Sequence, residues 1–306
     1  MGNKPLVSSW IYILVLLSMI FWGLSFVWST IVFRYYNPVT TIFLRLLLSS
    51  MILLSFMKIT GKLEKIRKED RKLLILSAFF NPFLYFLGEN FGLKYSTPTI
   101  TSVIIATIPV FTPLAAYLTM RESVTWMNVA GIIISFIGIG IMLINPDLSL
   151  NASPAGAILL MGAVTSAIIY TVLLKKLIIK YSPLTIITYQ NTLGAFYFLP
   201  IFLIFDFSHF ITVKPNAELI TSLLQLALFA SSLAFIFYAV GVKRIGMIRT
   251  NVFSNLIPVF TAIFSAIFIS ENFTSTKIAG MTVVILGVMV TQLKWLRQKD
   301  GKTVRR

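Results

Sequence analysis

Three polar side chains in a strongly apolar stretch share one helix face. Asn81, Tyr85 and Glu89 stand four residues apart, so a helix points them to the same side, and Pro82 removes a backbone donor beside them. A carboxylate inside a membrane costs about 2.5 to 3.5 kcal/mol on insertion scales, so Glu89 is expected to face protein or water. This face offers binding of a substrate ammonium or uptake of a proton as a cavity opens.

A second charged group lies in another apolar stretch. Arg45 is the only basic residue within one, and it can hold a substrate carboxylate by two parallel hydrogen bonds or tie its helix to a neighbour. Glu89 has an alternative as well, because a glutamate near the outer mouth of such a helix is solvated or paired with Lys94 or Arg45.

Further candidates line the same predicted pocket. Asn251, Ser254 and Asn255 form an amide-rich helix face, for which substrate recognition and hydrogen bonding between helices are both open. Pro109 and Pro258 are predicted hinges, although a static kink is equally physical. Aromatic and hydroxyl side chains are predicted for the pocket wall, with helix packing or the interfacial belt as the alternative for each: Trp22, Ser25, Tyr85, Tyr170, Phe235 and Tyr238.

The composition requires a membrane around these residues. Of 306 residues, 57% are hydrophobic and only 12% are charged, and the mean hydropathy is +0.89. The net charge of +16 is carried by clusters between apolar stretches, so we expect anionic lipid head groups on the cytoplasmic side as partners rather than nucleic acid. The chain has no cysteine and no recognisable catalytic or metal-binding constellation, so no enzyme activity, metal or cofactor is expected.

The apolar stretches predict an all-α integral membrane protein. About twenty apolar residues cross roughly 30 Å of hydrocarbon, and segments bounded by charge or turn residues such as Asn37-Pro38 and Ser182-Pro183 meet that length. Ten spans are predicted, at about 10–32, 38–58, 73–94, 97–120, 125–145, 154–174, 183–205, 217–241, 246–269 and 275–295.

The chain also repeats itself. Residues 89–144 align without a gap on residues 238–293, and fourteen of the forty-seven positions between Gly92 and Gly138 are identical. Five spans per copy is an odd number, so the second copy must enter the membrane from the opposite side. We therefore predict two inverted five-helix units, residues 1–148 and 149–306, and membrane carriers commonly place a substrate site between such repeats.

Loop charges orient the spans. With the N-terminus inside, the cytoplasmic segments hold 21 Lys and Arg residues and the outer segments hold 4. The positive-inside rule then predicts that both termini are cytoplasmic. Spans five and ten each hold two glycines seven residues apart: Gly131 and Gly138, and Gly280 and Gly287. Such small residues predict close helix contacts, within the chain or at a dimer seam, so we expect a monomer or a homodimer.

In this ten-span frame the chain resembles the drug/metabolite transporter superfamily of EamA type over essentially its whole length. The matching elements are Trp22-Gly23, Arg45 seven residues after Pro38, Gly92-Leu93-Lys94-Tyr95, and Pro109-Val110-Phe111 followed by Glu122, with a second copy at Pro258-Val259-Phe260 and Glu271. Two features depart from the pattern: the glycine usual before the motif glutamate is Arg121 or Ser270, and Glu89 is unexpected. Because the arginine recurs across different substrates, the resemblance favours a structural role for Arg45.

The resemblance implies an alternating-access carrier with a central cavity lined by spans one, three, four, six, eight and nine. We expect a plasma (inner) membrane exporter of small amphipathic metabolites, neutral or aromatic amino acids first. Glu89 allows proton exchange, but a facilitator needs no coupling group. The alternatives are a transporter of another class, such as drugs or nucleotide sugars, and then a channel or an intramembrane enzyme.

Overall fold

The computed structural model describes residues 9–111, 126–144, 153–246, 250 and 253–301, without the side chains of Asn128 and 291–300. Within these residues six helices are long and apolar enough to cross a membrane: α1 Ser9–Val32, α2 Pro38–Thr60, α3 Lys68–Lys94, α6 Pro154–Ile178, α7 Pro183–Phe210 and α8 Ala217–Ile245. Four further helices have shorter apolar stretches: α4 Pro98–Phe111, α5 Trp126–Leu143, α9 Ser254–Ile269 and α10 Ser275–Gly301, the last of which is apolar over Ser275–Val290. The predicted helical membrane protein is confirmed, while Arg121, Glu122 and Asn251 lie outside the described residues.

Proline opens four of the helices. Pro38, Pro98, Pro154 and Pro183 each stand in a first turn, where a missing N–H costs no helical hydrogen bond. The first turn of α2 is capped from a distant helix, because the Asp206 carboxylate in α7 accepts from the backbone N–H (3.0 Å) and hydroxyl (2.9 Å) of Thr40. This long-range cap fixes α2 against α7.

Several of the described helices depart from regular α-helical geometry. In α3, the wide turn Phe79–Leu84 contains Asn81 with φ −144° and ψ 117°, as expected of a residue before proline. Helix α7 has a wide turn over Phe202–Asp206, and α8 has one over Leu226–Leu233 without a proline. Helix α4 is interrupted at Ala106–Thr107, and α9 begins with the 3₁₀ turn Ser254–Leu256.

The predicted hinge prolines Pro109 and Pro258 each stand two residues after one of these last two turns. At such a position the ring lies in the first turn of the resumed helix, where its missing N–H is tolerated. The prolines are thus placed where a bend is inexpensive, and their motion stays a prediction.

Helices from the two parts of the chain interlock. Helix α1 packs on α8 and α9, and the Ser18 hydroxyl donates to the Ala234 carbonyl at 2.7 Å. Helix α6 packs correspondingly on α3 and α4, where the Ser166 hydroxyl donates to the Phe80 carbonyl at 2.6 Å. The second of these bonds adds a donor to a carbonyl at the break in α3, which also accepts from the Tyr85 backbone N–H. Because α2 also packs on α7, the helices that enclose the centre come from both parts of the chain.

Helices α5 and α10 pack on each other through the predicted glycines. A Cβ atom on Gly138 would lie 2.7 Å from the Val284 nitrogen, and one on Gly287 would lie 2.7 Å from the Ser135 nitrogen. The prediction of close helix contacts is therefore confirmed. At these glycines each helix is covered by the other helix of the same chain, and the choice between a monomer and a homodimer stays a prediction.

The second motif glutamate links α9, α10 and α4. Glu271 accepts from the backbone N–H (3.4 Å) and hydroxyl (2.9 Å) of Thr99, and its other oxygen pairs with Lys277 at 3.3 Å. Ser270 before it has a left-handed backbone, φ 53°, which ends α9. This conformation explains why glycine is usual there, because it costs a residue with a Cβ about 1–2 kcal/mol.

Both ends of the molecule carry a cluster that joins helices. At one end, Glu218 of α8 accepts from Tyr35 and Arg34, which follow α1, at 2.5 and 3.2 Å. At the other end, Asp70 of α3 accepts from Lys180 and Tyr181, which follow α6, at 2.6 and 2.8 Å. Hydrogen bonding to Asp70 raises the pKa of the Lys180 ammonium. The pattern of acid, tyrosine and cation is thus the same at the two ends.

Candidate functional site

A central cavity lies among α1, α2, α3, α4, α6, α8 and α9, and the space between its lining atoms, including the part open to solvent, is about 780 Å³. Eight of the ten side chains predicted to bind substrate line it: Trp22, Ser25, Asn81, Tyr85, Glu89, Tyr170, Phe235 and Tyr238. Arg45 and Pro109 line it as well, whereas Pro258 does not.

Glu89 is held in the cavity wall by hydrogen bonds. Its side chain is 8% exposed, one carboxylate oxygen accepts from the Tyr85 hydroxyl at 2.7 Å, and the other accepts from the Asn90 amide at 3.3 Å. The suggested pairing with Lys94 is not found, because that ammonium donates to Asn37 at 3.1 Å. Glu89 therefore faces the cavity and not the outer surface.

Arg45 combines a structural contact with a place in the wall. It is 2% exposed, its Nε donates to the Ser231 hydroxyl at 2.8 Å, and its guanidinium carbon lies 4.5 Å from the centre of the Phe86 ring. These contacts tie α2 to α8 and α3, as the structural interpretation expects. Arg45 and Glu89 both border the cavity. Among the described residues they form no salt bridge with each other.

The apolar side of the cavity is an aromatic cluster. The Trp22 ring lies 5.0 Å from the Phe235 ring, edge to face, and 5.2 Å from the Tyr238 ring. Tyr170 projects from α6, and its hydroxyl donates to Gln190 of α7 at 3.2 Å. Such aromatic pairs fix ring orientation, so this wall is preformed.

Helix α9 contributes less than its sequence indicates. Ser254 and Ile257 line the cavity, but Asn255 does not, and its side-chain oxygen is buried with no hydrogen-bond partner among the described residues. The turn over Ser254–Leu256 is a 3₁₀ turn, in which side chains three residues apart lie on the same side. Ser254 and Ile257 therefore share the side that lines the cavity. The expected amide-rich face is therefore rotated away at Asn255.

Three residues at or behind the cavity wall were not predicted for the site. Phe86 stands three residues before Glu89 on the same face, so helix spacing could have indicated it, whereas Thr171 directly follows Tyr170 and helix spacing does not place it on the same face. Gln190 lies behind Tyr170 and donates to the Ser77 hydroxyl at 3.0 Å. The sequence offered a signal for it, because Tyr36-Asn37-Pro38 lines up with Tyr181-Ser182-Pro183 at an offset of 145 residues, which sets Gln190 opposite Arg45.

A buried cavity with two opposite charges and an aromatic wall, enclosed by membrane-spanning helices, defines the class of multi-pass membrane transporters. Within that class the chain belongs to the EamA-like transporter family, whose model matches residues 9–144 and 154–293. Members of this family are transporters and not enzymes, so the chain is a transporter.

Individual relatives agree with this assignment. An uncharacterized transporter of Archaeoglobus fulgidus is 27% identical over 286 residues, which cover 92% of this chain and 99% of that protein. The uncharacterized transporter YetK of Bacillus subtilis is 27% identical over 255 residues, or 82% of this chain and 77% of YetK. One crystal structure of a protein has a similar fold. The match covers 94% of this chain and 99% of that protein's chain, with a TM-score of 0.69 and 13% sequence identity, and it shows a likeness of fold alone.

Proposed function

We propose that the protein is an alternating-access carrier that exports small amphipathic metabolites, neutral or aromatic amino acids first, across the plasma membrane. The observation that carries this proposal is that Glu89 and Arg45 line the same cavity, beside the aromatic cluster around Trp22. A zwitterion with an apolar body offers an ammonium, a carboxylate and a hydrophobic surface to these three groups.

The proposed topology is ten spans in two inverted units, residues 1–148 and 149–306, with both termini cytoplasmic. The two family matches support the duplication, and the corresponding breaks in α3 and α8 and in α4 and α9 are consistent with it. In this arrangement the substrate site lies between the units.

The proposed gating uses the clusters at the two ends. The cluster around Glu218 ties α8 to the end of α1, and the cluster around Asp70 ties α3 to the end of α6. A carrier must open one end while the other stays closed. Two matched clusters that can break in turn supply such gates, and Pro109 and Pro258 supply bends next to the cavity.

Counterflow in proteoliposomes tests the carrier. Vesicles loaded with unlabelled phenylalanine or leucine are expected to accumulate the labelled amino acid transiently and saturably, because a carrier exchanges substrate across the membrane. Non-saturable flux by a folded protein would indicate a channel. No flux of any amino acid, with counterflow of a drug or a nucleotide sugar, would contradict the proposed substrate class.

A further inference from the structure

Two aliphatic hydroxyl groups in the cavity wall, those of Ser25 and Thr171, have their protons directed into the protein. Ser25 donates to the Trp22 carbonyl at 2.7 Å, and Thr171 donates to the Ala167 carbonyl at 2.8 Å. A hydroxyl has one proton and two lone pairs, so a donor whose proton is used in this way can only accept from a ligand. Both groups thus offer acceptors to the cavity.

Tyr85 and Glu89 extend this pattern. The Tyr85 hydroxyl donates to the carboxylate at 2.7 Å, which leaves its oxygen as an acceptor. Each Glu89 oxygen receives one donor, from Tyr85 or from Asn90, and a carboxylate oxygen can accept two. Acceptor capacity therefore remains on both residues at the charged side of the cavity.

A chain of hydrogen bonds fixes the orientation of Tyr170 too. The Ser77 hydroxyl donates to the Leu74 carbonyl at 2.7 Å, so it must accept from the Gln190 amide nitrogen at 3.0 Å. The amide oxygen of Gln190 then faces Tyr170, whose hydroxyl must donate to it at 3.2 Å. Gln190 does not line the cavity, but its amide oxygen takes the Tyr170 proton and leaves the Tyr170 oxygen as an acceptor toward the cavity.

The wall also holds N–H donors. Arg45 uses its Nε on Ser231 and keeps its terminal N–H groups, which suit a carboxylate, while Trp22 has one indole N–H and Asn81 has a side-chain amide. Five side chains offer acceptors instead: Ser25, Tyr85, Glu89, Tyr170 and Thr171. A ligand that pairs with these acceptors must carry several N–H donors of its own.

We infer that the cavity selects a primary ammonium compound through its N–H donors and not only through its positive charge, and that Gln190 is a positioning residue for this selection. The inference rests on the proposed function for the place of the site but not for the identity of the cargo. A trimethylated amine keeps the charge and loses every donor, so it would leave the acceptors unpaired.

Binding to the purified full-length protein in detergent tests the inference, with ligand-induced thermal stabilisation over a concentration series as the readout. The probes are phenylalanine, 2-phenylethylamine and their N,N,N-trimethyl derivatives, with α-methyl-phenylalanine as a control for added bulk. We expect the primary amines and the α-methyl control to bind at least tenfold more tightly than the trimethylated compounds. Equal binding of primary and trimethylated forms, or no binding of any primary amine, would overturn the inference.

The outcome for the proposed function is separate. Binding of 2-phenylethylamine without binding of phenylalanine would contradict an amino-acid cargo and leave the donor selection intact. Equal binding of phenylalanine and its trimethyl derivative would contradict the donor selection and leave an amino-acid cargo intact.

Two variants test the residues that set the selection. In Tyr170→Phe an acceptor is lost, so we expect primary amines to bind about three- to tenfold more weakly while trimethylated amines are unaffected. In Gln190→Met the Tyr170 hydroxyl loses its acceptor and can donate its proton toward the cavity. The ratio of the affinity for primary amines to the affinity for trimethylated amines should therefore fall. A structural role alone would weaken both classes equally, and an unchanged ratio in both variants would contradict the role of Gln190.

Discussion

Replacing Glu89 with glutamine is expected to lower kcat/KM for counterflow of an aromatic amino acid by about 10- to 100-fold. The change removes the negative charge opposite the substrate ammonium, and a hydrogen bond to a charged group contributes about 1.5–3 kcal/mol. Glutamine keeps the size of the side chain and an oxygen for the Tyr85 hydroxyl, which is 2.7 Å away in the wild type. The loss should therefore appear in transport more than in folding.

The matched control is Glu69→Gln, which makes the same chemical change at an exposed position in the first turn of α3. Both variants are compared by thermal stability in detergent and by counterflow as a function of pH. Wild-type transport with unchanged pH dependence in Glu89→Gln would exclude Glu89 from binding and from proton coupling.

Enlarging Gly138 is expected to have the largest effect on stability. A Cβ atom there would lie 2.7 Å from the Val284 nitrogen and 2.9 Å from the Gly280 carbonyl oxygen, so α5 and α10 must separate. Overpacking of this kind costs about 1–3 kcal/mol for alanine, or roughly 2–10 °C in Tm. Leucine at the same position should prevent recovery of monodisperse protein.

Gly140 is the matched control, because it lies on the same helix and a Cβ atom there meets no neighbour within 4 Å. Gly140→Ala should leave the Tm unchanged or raise it, since alanine favours a helix by about 0.5–1 kcal/mol over glycine. Equal Tm values for Gly138→Ala and Gly140→Ala would show that α5 and α10 are not packed as described.

The sequence predicts the cavity best where chemistry and helix spacing agree. The face of Asn81, Tyr85 and Glu89 is costly in lipid, and all three residues line the cavity. The glycines of α5 and α10 likewise predict close packing. Their partner could not be identified, because small residues serve contacts within a chain and between chains alike.

Local backbone geometry and long-range partners were not predictable in the same way. The rotation of Asn255 away from the cavity follows from a 3₁₀ turn, whereas the helix period placed this residue with Ser254. The cap of α2 by Asp206 joins residues 166 positions apart, and the bond between Gln190 and Ser77 joins residues 113 apart. Such partners depend on how the helices are arranged, which periodicity along one helix does not contain.

Substrate protection of a thiol in the cavity tests the central claim most directly. The natural chain has no cysteine, so Thr171→Cys places a single thiol in the wall and Ser208→Cys places one at an exposed position near the end of α7. With a small thiol-reactive reagent, we predict that phenylalanine slows labelling at position 171 with the half-saturation seen in counterflow and leaves labelling at position 208 unchanged. Saturable counterflow with no protection at position 171 would contradict the account, because the transported amino acid would then bind elsewhere.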